Sequence, residues 1–79
     1  MMFVYSFWCK PTYSEYGAMY TVVASCMSEV VELMKADDPL EFKQEFEHNI
    51  DYLMDCIAKG AIIRCHDEED ARIAEYFMT

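Results

Sequence analysis

The sequence predicts an α+β fold: a small three-stranded antiparallel sheet with helices packed on one face, in the order β-β-α-α-β-α. Three observations predict it. They are two N-terminal runs rich in aromatic and β-branched residues, a central stretch with helical periodicity, and a short β-branched run after Gly60. The chain has 79 residues, of which 54% are hydrophobic. This length and composition fit one compact domain over residues 1–79.

The N-terminal third predicts a β-hairpin. Residues 2–9 (MFVYSFWC) and 18–25 (AMYTVVAS) are rich in the residue types that favour strands. The intervening residues 10–17 contain Pro11 and Gly17, which mark a loop. Because this loop is short, we expect the two strands to pair antiparallel.

A short helix is predicted after the hairpin. Ser25 or Ser28 can cap a helix that runs to Lys35. The pair Asp38-Pro39 ends it, because the residue before a proline avoids the helical conformation. The apolar residues of this helix fall on one face: Val30, Val31 and Met34.

A long helix is predicted over residues 38–58. Asp38 is a favourable N-cap, Pro39 suits the first turn, and Glu41 completes a capping-box pattern. Gly60 marks its C-terminal end. Apolar residues recur every three or four positions and predict one buried face: Phe42, Phe46, Ile50, Leu53 and Ile57.

The C-terminal segment predicts a third strand and a last helix. Residues 61–65 (AIIRC) are short and β-branched, which favours a strand. Asp67 can cap a helix over residues 68–77, whose first turn carries acids that the helix dipole favours. In the alternative interpretation, residues 61–65 extend a helix or form a loop, which leaves a β-hairpin and a helical bundle.

The net charge of −9 lies entirely in the second part of the chain. Residues 1–28 hold one acid and one base, whereas residues 29–79 hold 14 acids and five bases (5 − 14 = −9). This balance disfavours direct binding to nucleic acid or to an anionic membrane, because both require positive charge. A basic partner is favoured.

No pattern typical of catalysis or of metal binding appears, so we predict a non-enzymatic protein without metal or cofactor. The four cysteines form no Cys-x-x-Cys pair, and adjacent residues such as Cys65, His66 and Asp67 rarely converge on one ion. Two glycines are too few for a phosphate-binding loop. Neither a signal peptide nor an apolar stretch of about 20 residues is present, which predicts a cytoplasmic protein with reduced thiols.

Carboxylates recur at helical spacing and form a candidate binding surface. Its residues are Glu41, Glu45, Glu47, Asp51, Asp55, Asp67, Glu68, Glu69 and Asp70. Like charges four residues apart destabilise a helix by about 0.2–0.5 kcal/mol per pair, a cost that solubility alone does not require. Such carboxylates rise about 6 Å along the helix, close to the roughly 6.8 Å advance of every second phosphate of a DNA strand. We predict that this surface imitates nucleic acid and fits a basic groove.

With these acids, its small size and a hairpin followed by helices, the chain resembles the small acidic proteins with which phages and other mobile elements block host defence, anti-CRISPR proteins above all. The resemblance implies a phage protein that acts as an inhibitor and DNA mimic in the host cell cytoplasm. Its partner would be the positively charged DNA-binding groove of a CRISPR effector, with a slight preference for a type I surveillance complex.

An aromatic surface supports a second hypothesis. Trp8, Tyr13 and Tyr16 lie on or near the hairpin loop, and both residue types are favoured at protein interfaces. Together with Met19 they would serve a small adaptor or oligomerisation module, in which the acids only keep the protein soluble. The apolar excess also favours a homodimer, whereas the net charge of −9 opposes one.

Overall fold

A computed structural model describes residues 1–11, 16–65 and 70–78, with residues 77 and 78 described by their backbone alone. The elements are β1 (Phe3–Cys9), β2 (Ala18–Ala24), α1 (Met27–Asp37), α2 (Pro39–Glu45), a 3-10 turn (Glu47–Asn49), α3 (Ile50–Lys59), β3 (Ala61–Arg64) and β4 (Arg72–Met78). The predicted α+β class is confirmed. The sheet has four strands, one more than predicted.

The strands are ordered β3-β1-β2-β4, and every neighbouring pair is antiparallel. The predicted hairpin forms the centre of the sheet: β1 and β2 pair from Phe3 opposite Ala24 to Cys9 opposite Ala18. β3 pairs with the first half of β1, and β4 pairs with β2. The C-terminal part of the chain therefore supplies both edge strands.

The strand β4 corrects the predicted last helix over residues 68–77. A bulge in its pairing with β2 makes Ala74 an extra residue. Consequently Ile73 and Tyr76, three positions apart, both contact the helical side of the sheet, and this spacing resembles a helical face. Pairing with β2 outweighs the helix propensity of the segment. The predicted cap Asp67 lies outside the described residues.

The start of α1 differs from the prediction. Its N-cap is Cys26, whose side chain makes no capping hydrogen bond, so neither Ser25 nor Ser28 caps the helix. Instead, Glu29 reaches back from the first turn, and its Oε1 accepts hydrogen bonds from the Ser25 backbone N–H at 2.7 Å and from the Ser25 Oγ at 3.1 Å. The helix continues to Asp37, slightly beyond its predicted end.

The long helix predicted over residues 38–58 is wrong as one element, although its start is confirmed. Asp38 Oδ1 accepts the backbone N–H of Glu41 at 3.0 Å. The backbone then leaves the helical conformation at Phe46 (φ −127°, ψ −25°) and again at Asn49 (φ −134°, ψ 43°). Histidine and asparagine in this turn are weak helix formers. The break lets α3 pack on β1 and β3 while α2 lies beside α1.

The predicted apolar stripe keeps one buried side despite this break, because Phe42, Phe46, Leu53 and Ile57 are buried and Ile50 is half-buried. It packs on the inner face of the sheet, which is formed by Tyr5, Phe7, Cys9, Ala18, Tyr20, Val22 and Ala24. Val30 and Met34 of α1 complete this core. All helices therefore lie on one side of the sheet, as predicted.

Gly60 joins the helices to the sheet at very close range. Its backbone is extended (φ −76°, ψ −174°), so α3 ends at the predicted place but without a left-handed residue. A Cβ at this position would clash with the carbonyl oxygen of Ser6 and lie 2.8 Å from the Cβ of Phe7. Glycine is needed here because α3 turns into β3 directly against β1.

Candidate interaction surfaces

The structure separates charge from apolar surface. The helical layer, residues 27–59, contains nine carboxylates and three lysines, a net charge of −6 (3 − 9). The four strands contain Arg64, Arg72 and Glu75, a net charge of +1 (2 − 1). The molecule therefore presents an acidic side made of helices and a nearly neutral side made of the sheet.

The predicted acidic surface is divided among three elements. Glu41 and Glu45 belong to α2, Glu47 lies in the 3-10 turn, and Asp51 and Asp55 belong to α3. Glu47, Asp51 and Asp55 are exposed, whereas Glu41 and Glu45 are half-buried. The exposed row thus starts at the turn and runs into α3, and it is shorter than the sequence predicts.

Glu41 serves the fold as well as the surface. Its Oε1 accepts a hydrogen bond from the Tyr76 hydroxyl at 2.9 Å, which ties α2 to the edge strand β4. The Tyr76 ring lies 4.7 Å from that of Tyr20, so the two tyrosines of β2 and β4 pack against each other. This Tyr20–Tyr76–Glu41 network is a polar link between sheet and helices at the edge of the apolar core, where Tyr76 is exposed and Glu41 is half-buried.

Burial raises the pKa of Tyr76 from 10.0 to about 12, and the hydrogen bond to Glu41 adds to the increase. Burial also raises the pKa of Tyr20, and the neighbouring Tyr76 raises it further. Both hydroxyls are therefore protonated at neutral pH. They act as structural hydrogen-bond donors, since a raised pKa makes the fraction of tyrosinate at neutral pH even smaller than for a free tyrosine.

Asp55 is engaged within its own helix. It forms an ion pair with Lys59 one turn later, with 2.8 Å between Oδ2 and Nζ. Their hydrogen bond raises the pKa of Lys59. Both side chains are well exposed, so the pair contributes little to stability and remains accessible to a partner.

The remaining predicted acids lie near the C-terminal strand. Asp70 is exposed just before β4, and its backbone carbonyl accepts a hydrogen bond from the Arg72 Nη1 at 3.1 Å. Asp67, Glu68 and Glu69 lie outside the described residues. That these acids form one surface with the acids of the helical layer therefore stays a prediction.

The sheet has a second face, turned away from the helices, which we call the outer face. Strand register assigns to it Val4, Ser6, Trp8, Met19, Thr21, Val23, Ala61, Ile63, Arg72 and Glu75. Trp8 and Met19 are directly opposite one another and are 50% and 47% exposed, and Ile63 is 62% exposed. No helix among the described residues packs on this face.

The position of Trp8 depends on a glycine beside it. Gly17 has a φ of +112°, a left-handed value that favours glycine, and a Cβ there would clash with the Trp8 indole. The indole therefore lies over Gly17 on the outer face. Tyr16, the next residue of the predicted aromatic surface, is exposed, whereas Tyr13 lies outside the described residues.

Two open grooves flank these surfaces. One, about 350 Å³ in volume, lies beside the β1 edge between Trp8 and Tyr52 of α3, and the Tyr52 hydroxyl accepts the Lys10 backbone N–H at 3.0 Å. The other, about 430 Å³, has apolar side chains at its floor and charged groups of both signs at its rim; its lining is Val31, Glu32, Lys35, Pro39, Phe42, Lys43, Glu47 and Ile50. Neither groove gathers a catalytic set of residues.

The groups that could support chemistry are dispersed. Among residues 1–11, 16–65 and 70–78, no cluster of three or more His, Cys, Asp or Glu side chains could hold a metal ion. All four cysteines are free thiols, and burial raises the pKa of Cys9 to about 12. A thiol with such a pKa is a poor nucleophile at neutral pH.

Sequence reasoning missed three residues that shape these surfaces: Ile63, Tyr52 and Tyr76. The alternation of Ile62 and Ile63 in a short edge strand was a signal that one of them faces away from the helices. Tyr76 was assigned to a helix, so its contact with Glu41 was not foreseen. No local signal pointed to the Tyr52 hydrogen bond, since it joins positions 42 residues apart.

Comparison of the chain with protein-family models, curated proteins and solved structures finds no significant match. In the part of the chain that the structure describes, each helix is too short or too polar to cross a lipid bilayer.

Proposed function

We propose that the protein is a non-enzymatic inhibitor that binds a basic, nucleic-acid-binding protein through its acidic helical layer. The observation that carries this proposal is the separation of charge: a net −6 on the helices and a net +1 on the strands. A one-sided negative field orients the protein toward a positive groove and accelerates the encounter.

The contact surface is the row Glu47, Asp51 and Asp55. All three carboxylates are exposed; Asp51 and Asp55 lie on successive turns of α3, and Glu47 lies in the 3-10 turn that precedes this helix. The fold does not require carboxylates at these positions, since Glu47 and Asp51 lie outside the hydrophobic core. Spaced carboxylates of this kind suit lysine and arginine side chains that normally bind phosphates.

The favoured partner is a CRISPR effector, as in the anti-CRISPR proteins that the chain resembles. Occupation of its DNA-binding groove would exclude target DNA without any chemical step. A type I surveillance complex is the first candidate, by the slight preference stated for the resemblance.

The test is competition for target DNA on a purified type I surveillance complex, measured by electrophoretic mobility shift at several salt concentrations. The double variant Glu47→Gln/Asp51→Asn removes two charges from the row. The control Asp37→Asn/Glu75→Gln removes two exposed charges outside the row and outside the predicted acidic surface. We expect the first variant to weaken inhibition by about tenfold or more and the control by about threefold or less.

Inhibition by wild type should also weaken as salt rises, because screening shortens the reach of surface charge. Equal inhibition by the row variant and wild type would refute the acidic-surface proposal. If wild type leaves DNA binding intact on a panel of type I and type II effectors, the CRISPR assignment is rejected.

A second candidate function is a small adaptor or oligomerisation module that uses the outer face. The observation that favours it is the half-exposed Trp8 beside Met19 on a face that no described helix covers. Binding through this face would survive high salt and fail when Trp8 is replaced by alanine. The two functions are thus separated by their salt dependence and by the surface whose substitution abolishes them.

A further inference from the structure

The outer face is suited to a second copy of this chain. We propose that the protein forms a weak, symmetric dimer in which two outer faces pack together, with the helical layers on the outside. This inference specifies an occupant for the second candidate surface and does not depend on the acidic-surface proposal.

The strand register makes the outer face complementary to itself. A two-fold axis that runs parallel to the strands, between β1 and β2, lays β1 of one copy over β2 of the other. Trp8 of each copy then faces Met19 of the other, because the two residues are paired at the same height in one sheet. Val4 lies over Val23 in the same way, but Val23 is only 3% exposed in the monomer, so Trp8, Met19 and Ile63 carry the contact.

The edge strands also match under this axis, which lays β3 over β4. Ile63 and Arg72 occupy the same row of the sheet, as do Ala61 and Glu75. The aliphatic stem of Arg72 therefore covers Ile63, and Glu75 falls over a small residue at the rim with access to water. Of the charged residues that the strand register assigns to the outer face, Arg72 and Glu75, neither is opposed to a like charge.

Charge repulsion between the copies is limited, because the helical layer, which carries a net −6 of the total −9, lies on the far side of each sheet. Packed layers are separated by about 10 Å, so the two helical layers are roughly 30 Å apart. Screening at physiological salt acts over about 8 Å. Repulsion between the layers is therefore small in salt and stronger at low ionic strength.

The size of the face predicts a weak dimer. Four strands at about 4.8 Å spacing and seven residues at about 3.3 Å rise give a face of roughly 19 by 23 Å. Two such faces bury roughly 800–900 Å² in total, below the roughly 1,200 Å² at which standard interfaces begin. Association should therefore depend on concentration in the micromolar range or above.

Trp8 is the only tryptophan, so its fluorescence reports directly on this face. We expect analytical ultracentrifugation, with reductant present, to show the mass rising from 9.3 kDa to twice that value with concentration. The Trp8 emission should shift to shorter wavelength with the same midpoint, because the indole becomes buried. Higher salt should strengthen association severalfold, opposite to its effect on binding by the acidic row.

Met19→Glu is the decisive variant, since it places a charge at the centre of the contact. We expect it to weaken dimerisation by about tenfold or more. Leu40→Glu is the matched control: it makes the same change at a 75% exposed apolar residue of α2, outside the proposed contact, and should leave dimerisation unchanged. Ile63→Glu provides a second test at the edge strand should Met19→Glu fail to fold by circular dichroism.

Two results would overturn the proposal. One is a monomer at every concentration with constant Trp8 emission. The other is a dimer that does not use the outer face. Such a dimer would withstand both Met19→Glu and Ile63→Glu, or would form without a change in Trp8 emission. Pairing of strand edges, or a disulfide through the exposed Cys26, would give this result. Neither result bears on inhibition by the acidic row, so the two proposals fail independently.

Discussion

The two faces of the sheet differ in composition and in environment: apolar and aromatic residues form the inner face, whereas Ser6, Thr21, Arg72 and Glu75 lie among the apolar residues of the outer face. On β1, Phe7 is 2% exposed under the helices, and the adjacent Trp8 is 50% exposed on the outer face. The helices among the described residues all pack on one side of the four-stranded sheet. Large apolar residues on the other side therefore point to a contact outside the monomer.

The largest expected effect compares these two neighbours. Phe7→Ala should destabilise the monomer by about 3–5 kcal/mol, because Phe7 stacks on Tyr20 at 5.4 Å in the core and leaves a cavity. Trp8→Ala should cost about 1.5 kcal/mol or less, since half of the side chain is already in water. Urea unfolding at a concentration that keeps the protein monomeric measures both. Equal losses would show that the outer face is packed within the monomer.

The second prediction concerns the tyrosine network, which tests whether Glu41 belongs to the fold or to the acidic surface. Tyr76→Phe should cost about 0.5–1.5 kcal/mol at neutral pH, because it removes the hydrogen bond to Glu41. An unchanged free energy of unfolding would assign Glu41 to the surface alone.

The same variant has a pH signature. The pKa of Tyr76 is raised from 10.0 to about 12 in the folded protein, so its contribution to stability is complete below pH 10 and is lost as the pH rises through about 12. Wild type should therefore lose stability across this window more steeply than Tyr76→Phe. The residual slope of the variant reports the other groups whose pKa values are raised, among them Tyr5, Tyr20, Tyr52 and Cys9. Parallel pH profiles would contradict this account.

The smallest expected effect is on the exposed acidic row. Asp51 lies in the first turn of α3, where the helix dipole favours it, and four residues before Asp55, which repels it. Because these terms oppose one another, Asp51→Asn should change the free energy of unfolding by about 0.5 kcal/mol or less, as measured by thermal or urea unfolding. A larger loss would mean that the row supports the fold, and its use for binding would then be harder to separate from stability.

Local patterns in the sequence predicted the elements that depend on neighbouring residues. The hairpin follows from its strand-forming runs and loop residues, and the start of α2 follows from the Asp38 cap on Glu41. The apolar stripe of Phe42, Phe46, Leu53 and Ile57 was also predictable, because apolar residues at a spacing of three or four predict one buried side of a helix.

Distant pairing was not predictable in this way. Residues 72–78 contain good helix formers, and the β-bulge gives Ile73 and Tyr76 a spacing of three that resembles a helix. Only the presence of β2 as a partner makes this segment a strand. The break after Phe46 likewise allows α3 to pack on β1. This contact is between distant segments, so the sequence around Phe46 does not predict it.

The candidate surfaces divide along the same line. By itself the sequence determined that the protein is acidic in its second part, that its helices carry carboxylates at helical spacing, and that Trp8 and Met19 stand near each other in a hairpin. The tertiary structure alone decided that Glu41 hydrogen-bonds to Tyr76 and that no helix among the described residues covers Trp8 and Met19 on the outer face. Charge and periodicity are properties of neighbours along the chain, whereas exposure depends on which distant segments pack against them.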